Sequence, residues 1–257
     1  MIVVKIEILG CYGGVVGRYR TTSFLINDAI LIDAGTITEV LSYERIKKLK
    51  AVFISHAHLD HIKGLFPLVD ELAALKAKGI SVFSAKPTIE VITKNGFNDL
   101  IWPDFTSIPS AEDALIRFQE IPIDSEFEFE GLMIKAIPVS HTVYTTGFVV
   151  KEKEKKGFMF TSDTKDTERI WEVAKDDEIE FVIADVSFPE SERKVAELSC
   201  HMTLSMLLSV LDRYGLTKKP TYIYHMKPYF IKAIKKEVLD SKRKNLRFLR
   251  QGMVIEI

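Results

Sequence analysis

Two kinds of hydrophobic pattern alternate along this chain. Short β-branched runs, each stopped by glycine, asparagine, aspartate or proline, predict strands over residues 2–9, 51–55, 80–84, 115–123, 127–129, 132–139, 146–150, 158–161, 179–184, 222–224 and 254–257. Residues 23–26 and 30–32 flank Asn27 and Asp28 and predict a hairpin. Apolar residues at a spacing of three to four predict helices over 36–49, from 62–65 to 75–78, over 87–93 behind Pro87, and over 166–174, 204–214 and 229–239. Strand runs in each half, each followed by helices, predict two sheets packed face to face with helices outside, in one domain over residues 1–257. Residues 95–109 fit neither period. They read either as a lid or binding loop, or as a small core of their own around Phe97, Trp102 and Phe105. A polar loop is expected up to residue 198, and a wet helix or loop face over the basic stretch 242–250.

Between the strand at 51–55 and the following helix lies His56-Ala57-His58-Leu59-Asp60-His61. Three imidazoles and a carboxylate in six residues suit zinc, manganese or iron, and two such ions held about 3.5 to 4 Å apart can share a hydroxide nucleophile. In extended backbone His56 and His58 project to one side, while Asp60 and His61 face the next position round the turn. Ordinary strand-end histidines would be the plainer explanation, but three of the chain's six histidines stand here. The others are His141, which ends the strand at 132–139, His201 after Ser199-Cys200, and His225, which ends Tyr222-Ile223-Tyr224. Asp163 ends the strand at 158–161 in the same manner. Strand ends on one edge of a scaffold can bring such residues together across long separations. Asp33, at the end of the second hairpin strand, either orients a ligand histidine or caps the helix predicted at 36–49. The glycine cluster Gly10-Cys11-Tyr12-Gly13-Gly14 lacks the spacing of a phosphate loop and reads as a turn or a close backbone approach.

Composition narrows the partners. Thirty-five Lys plus Arg against 36 Asp plus Glu give a net charge of -1, which argues against nucleic acid and acidic membranes as partners. No apolar run approaches the roughly 20 residues needed to cross a bilayer, and the start lacks the pattern of a secretory leader, so the cytoplasm is the expected location. Cys11 and Cys200 form no C-x-x-C pair and are expected as reduced, packed thiols.

The order H-x-H-x-D-H, then His, Asp and His, resembles the metallo-β-lactamase superfamily. Within it the chain is similar to the class II cyclic-nucleotide phosphodiesterases. The pieces that carry the likeness are Asp33-Ala-Gly35, the run from Ser55 to Ile62, the Trp102-Pro-Asp-Phe105 segment, Ser162-Asp-Thr164, Asp185-Val-Ser-Phe-Pro189, His201-Met-Thr203 and His225-Met-Lys-Pro228. The resemblance implies an α/β fold, a four-layer αββα sandwich of two mixed β-sheets. It implies two divalent metal ions, zinc first with manganese or iron as alternatives: one on His56, His58 and His141, another on Asp60, His61 and His225, with Asp163 bridging. It implies hydrolysis of a 3′,5′-cyclic nucleotide to the 5′-monophosphate by a hydroxide shared between the metals, with Asp60 among the catalytic groups. His201, held by Asp185, would contact phosphate or protonate the leaving oxygen, and Thr203 would lie at the substrate. Trp102 or Phe105 is expected to stack on the base. A tRNA 3′-processing endoribonuclease is the alternative within the fold, and a homodimer is expected on the resemblance alone.

Overall fold

The computed structural model describes residues 4–257; the first two positions of the strand predicted at 2–9 lie outside them. Fourteen strands among the described residues form two seven-stranded sheets. The first contains β1 (Lys5–Gly10), β2 (Ser23–Ile26), β3 (Ile30–Ile32), β4 (Ala51–Phe53), β5 (Ile80–Ser84), β6 (Ile116–Glu120) and β14 (Val254–Glu256), in the order β14-β1-β2-β3-β4-β5-β6. The second contains β7 (Glu126–Phe129), β8 (Leu132–Val139), β9 (Thr145–Glu152), β10 (Gly157–Phe160), β11 (Ile179–Asp185), β12 (Thr221–Tyr224) and β13 (Leu246–Phe248), in the order β13-β12-β11-β10-β9-β8-β7. Each sheet is mixed. Antiparallel pairs join β1, β2 and β3, and join β7 through β10; parallel pairs run from β3 to β6 and from β10 to β13.

The period-two pattern explains the layering. Ile6, Ile8, Phe24, Ile26, Ile30, Ile32 and Phe53 pack into a core shared with the second sheet. Their neighbours Leu25, Leu31, Val52 and Ile54 point the other way, into a second core under α3 (Leu65–Ala74) and α4 (Lys86–Asn95), because successive strand residues face opposite sides. On the far side, α5 (Glu168–Val173), α7 (Leu204–Arg213) and α8 (Ile231–Asp240) bury Trp171, Leu207, Val210 and Ile234 against the second sheet. The result is the expected four-layer αββα sandwich. Among the described residues no helix is long and apolar enough to cross a membrane.

Four local expectations are corrected. The helix predicted over 36–49 is reduced to α1 (Tyr43–Ile46): Thr36, Ile37, Thr38 and Val40 are β-branched and disfavour helix, and Ser42 is extended. The helix after the histidine motif is two pieces, α2 (Leu59–Ile62) and α3, broken at Gly64, whose N–H donates to the Ala34 carbonyl (2.7 Å). The polar loop before residue 198 contains α6 (Arg193–Leu198), a single amphipathic turn that buries Ala196. The basic stretch at 242–250 contains β13, which pairs in parallel with β12 and packs Leu246 and Phe248 on the core.

Candidate metal centre

The end of the sandwich where β3, β4, β8, β10, β11 and β12 terminate collects all six histidines. β4 delivers His56 and His58 in extended backbone, and the short α2 turns Asp60 and His61 toward the same point. Strand ends in the second sheet supply His141, Asp163, Asp185 and His225, and the turn before α7 supplies His201.

Two donor pockets result. In the first, His58 Nδ1 lies 3.1 Å from His56 Nε2 and 3.2 Å from His141 Nε2. A tetrahedral ion with metal–nitrogen distances of about 2.0–2.1 Å needs nitrogens roughly 3.3 Å apart, so this spacing fits one. In the second, His225 Nε2 stands 3.2 Å from Asp60 Oδ2 and 3.2 Å from Asp163 Oδ2, and His61 Nε2 lies 3.3 Å from the same Asp163 oxygen. His56 Nε2 is 3.9 Å from Asp163 Oδ2, which puts that one oxygen between the pockets. His61 Nε2 is buried without a hydrogen-bond partner. A buried, unpaired nitrogen facing carboxylates is what a cation would satisfy.

Behind the donors, each sheet carries a buried carboxylate and serine that grip two histidines. Asp33 Oδ2 accepts from His61 Nδ1 (2.7 Å) and from the Ser55 hydroxyl (2.9 Å), whose oxygen then accepts from His56 Nδ1 (3.0 Å). Asp185 Oδ2 accepts from His201 Nδ1 (2.7 Å), while Oδ1 accepts from the Ser187 hydroxyl (2.6 Å), which accepts in turn from His225 Nδ1 (2.8 Å). His141 Nδ1 donates to the Cys200 carbonyl (3.1 Å). Every Nδ1 so engaged leaves its ring's Nε2 turned inward. Of the two roles open to Asp33, orienting a histidine is the observed one, since its carboxylate is spent on Ser55 and His61. Tyr224 donates to Asp163 Oδ1 (2.5 Å), leaving Oδ2 for the pockets. Ser55 and Ser187 lie inside the pieces that carry the family likeness, though without an assigned role, and Tyr224 carries no motif signal; a polar residue one or two positions from a strand-end histidine or carboxylate, in an otherwise apolar strand, was the available clue.

The two pockets differ in charge. Burial pushes His56 well below its usual pKa and lowers His58, and it brings His141 down to about 4; these rings are neutral near pH 7, with lone pairs free. In the second pocket burial also disfavours charge on His61, but Asp163 and Asp33 outweigh it and hold that ring well above its usual value. Burial likewise works to raise Asp60 and Asp163, yet His225 and His61 keep both carboxyls far below the ordinary range. Against burial, Asp185 raises His201.

The residues expected to meet substrate are placed differently. Phe105 is only 7% exposed within the core under α3 and α4. Trp102 packs edge-on against Phe66 with its indole N–H buried, so the aromatics of residues 95–109 join the core under α3 and α4 and do not form a small core of their own. Neither ring belongs with the histidine cluster. Thr203 caps α7, and its hydroxyl donates to Glu190 (2.7 Å), so it is engaged by its own helix terminus.

Residues 29–226 match the family model described as a beta-lactamase superfamily domain. A probable 3′,5′-cyclic-nucleotide phosphodiesterase of Yersinia pestis is 27% identical over 231 residues, 80% of this chain and 64% of that protein. The ribonuclease Z of Pyrococcus abyssi is 32% identical over 135 residues, 51% of this chain and 41% of that protein. The chain thus spans less than two thirds of the length of either relative. The crystal structure of unliganded yeast PDE1 superposes with a TM-score of 0.82 at 18% identity, covering all of both chains, a likeness of fold. With the family match running from the second hairpin strand to the residue after His225, the chain belongs to the beta-lactamase superfamily.

Proposed function

We propose that the protein is a metal-dependent phosphodiesterase that hydrolyses 3′,5′-cyclic nucleotides, cyclic AMP or cyclic GMP, to 5′-monophosphates. The observation that supports this most is the pair of donor pockets facing one Asp163 oxygen, with His61 Nε2 buried 3.3 Å from that oxygen and making no hydrogen bond. His56, His58 and His141 would hold one divalent ion, Asp60, His61 and His225 a second, and Asp163 both; zinc suits this nitrogen and oxygen set, as do manganese and iron. When bound, the ions supply Lewis acidity toward the phosphoryl oxygens and lower the pKa of an attacking water. The remaining work falls to the chain. Asp60, with 27% of its side chain exposed, borders the solvent side and would orient that water. His201, tied to Asp185 through Nδ1, would give a proton from Nε2 to O3′ as the phosphorus–oxygen bond breaks. Two free cysteines fit a reducing cytosol.

A second reading, an endoribonuclease acting on precursor tRNA, is favoured by the 32% identity to the Pyrococcus protein. A near-neutral chain offers less to a polyanion than such a substrate asks. Purified protein assayed on cyclic AMP, cyclic GMP and precursor tRNA, with and without chelator and with its metal content measured, tests both. Metal-dependent turnover of a cyclic nucleotide supports the first reading. Cleavage of precursor tRNA alone would move the assignment to the second. One tightly held ion with no hydrolysis at all would point to a non-catalytic role for the fold.

A further inference from the structure

A second set of aromatic rings, outside residues 95–109, leads from His201 to the surface. Tyr229 is 90% exposed, yet it ends a continuous series of rings. Its centroid is 5.0 Å from Phe230 at nearly right angles, Phe230 is 5.9 Å from Phe188, and Phe188 is 5.9 Å from His201. Phe188 is buried and bridged to Thr203, so the inner rung is fixed. The outer rung is carried on the tight turn Pro228–Phe230, closed by Phe230 N–H on the Lys227 carbonyl (2.9 Å). The turn begins three residues after His225.

In sequence, Lys227 lies between His225 and the ring pair Tyr229-Phe230. Its N–H donates to the Ser187 carbonyl (3.1 Å), the residue whose hydroxyl joins Asp185, His201 and His225. Among the described residues its ammonium forms no ion pair within 4.0 Å, and its charge reaches His201. A lysine with no carboxylate partner beside a phosphodiester site is suited to an anionic oxygen.

We propose that Lys227 and Tyr229 form the nucleotide-recognising edge of the site, Lys227 taking phosphate charge and the face of Tyr229 stacking on the base. This rests on the phosphodiesterase reading and supplies the base platform that Trp102 and Phe105 do not. A nucleotide is an anion joined through a small sugar to a flat ring, and the segment presents a cation and a flat ring two residues apart. One exposed ring beside a lysine offers far less than the roughly 800 Å² per partner of a stable subunit interface. Stacking also tolerates either purine, because every base has a π-face.

The test is calorimetric binding of AMP and of ribose 5-phosphate to protein supplemented with zinc or manganese, with cyclic AMP, cyclic GMP and bis(p-nitrophenyl) phosphate turnover measured in parallel. Wild type is expected to bind AMP about tenfold more tightly than ribose 5-phosphate. Tyr229→Ala should bring that ratio close to one, and Tyr229→Phe should preserve it. Lys227→Met should weaken both ligands by a similar factor. If cyclic AMP or cyclic GMP is hydrolysed but Tyr229→Ala keeps the ratio, or wild type shows none, the base platform is overturned while the function stands. Turnover of bis(p-nitrophenyl) phosphate without turnover of cyclic AMP or of cyclic GMP would overturn the functional reading and the platform with it.

Discussion

Asp33, Ser162, Cys200 and His225 all carry left-handed backbone, with φ between 54° and 64°. For residues with a Cβ this conformation costs on the order of 1–3 kcal/mol and persists only where the surroundings fix it. Here they do: Asp33 N–H donates to the Phe53 carbonyl and His225 N–H to the Cys11 carbonyl, each at 2.8 Å, and the Cys200 carbonyl accepts from His141. The strain lies where a strand must turn a side chain into the centre, or a carbonyl toward it. Removing one donor should therefore leave the fold intact while disabling the site. Asp60→Ala is expected to lower phosphodiester hydrolysis by several orders of magnitude with an unchanged circular dichroism spectrum; retained activity would remove Asp60 from the machinery. Tyr224→Phe deletes only the hydroxyl that occupies Asp163 Oδ1. Loss of such an outer contact typically weakens metal affinity 10- to 100-fold, to be read by titration with a competing chelator. Unchanged affinity would show that Asp163 is held without it.

Among the elements, the connection from β1 to β2 reaches the centre without contributing a donor. Gly13 N–H donates to the Met226 carbonyl, and a Cβ at Gly13 would sit 2.6 Å from the His225 carbonyl and 2.7 Å from its ring Nδ1. Close approach, one of the two readings available for this glycine cluster, is thus the reason for Gly13. Gly35 is similar, with a Cβ placed 2.1 Å from the Asp60 carbonyl. Gly13→Ala must displace His225 or the loop. The expected result is loss of one metal equivalent by elemental analysis, because His225 belongs to the second pocket alone. Two equivalents in the variant would mean that the loop gives way instead. The expectation of a long helix at 36–49 failed at this scale for a local reason, a cluster of β-branched residues ahead of Ser42. Where the aromatics of residues 95–109 pack was decided by a tertiary one, since Phe97, Trp102 and Phe105 join the core between α3 and the first sheet.

At the scale of the whole molecule the centre is a seam. The first sheet and its α2 supply His56, His58, Asp60 and His61, the second supplies His141, Asp163 and His225, and each sheet brings its own carboxylate and serine to hold them. Ions bound there would tie the two sheets together and would bind the folded chain alone. At a free concentration of 100 times Kd such binding contributes about 2.7 kcal/mol. For a chain of this size that corresponds to a rise in Tm of roughly 5–10 °C, lost on chelation. Calorimetric scans with added zinc or manganese and with chelator measure it; equal Tm values would place metal outside the folded seam.

The candidate donors and their scaffold were legible in the chain. Imidazoles and carboxylates at strand ends are legible because alternation fixes which residues a strand buries and where it must stop, and all seven candidate donors stand in the two pockets. Which neighbours serve them depends on the folded arrangement. Ser55, Ser187, Tyr224 and Lys227 become neighbours of the donors by sheet pairing and turn geometry. Trp102 and Phe105 are withdrawn by packing, and Tyr229 is left facing water at the end of its row of rings. Metal-binding residue types announce their chemistry in any context, whereas a hydroxyl or an aromatic ring takes its role from what the fold places beside it.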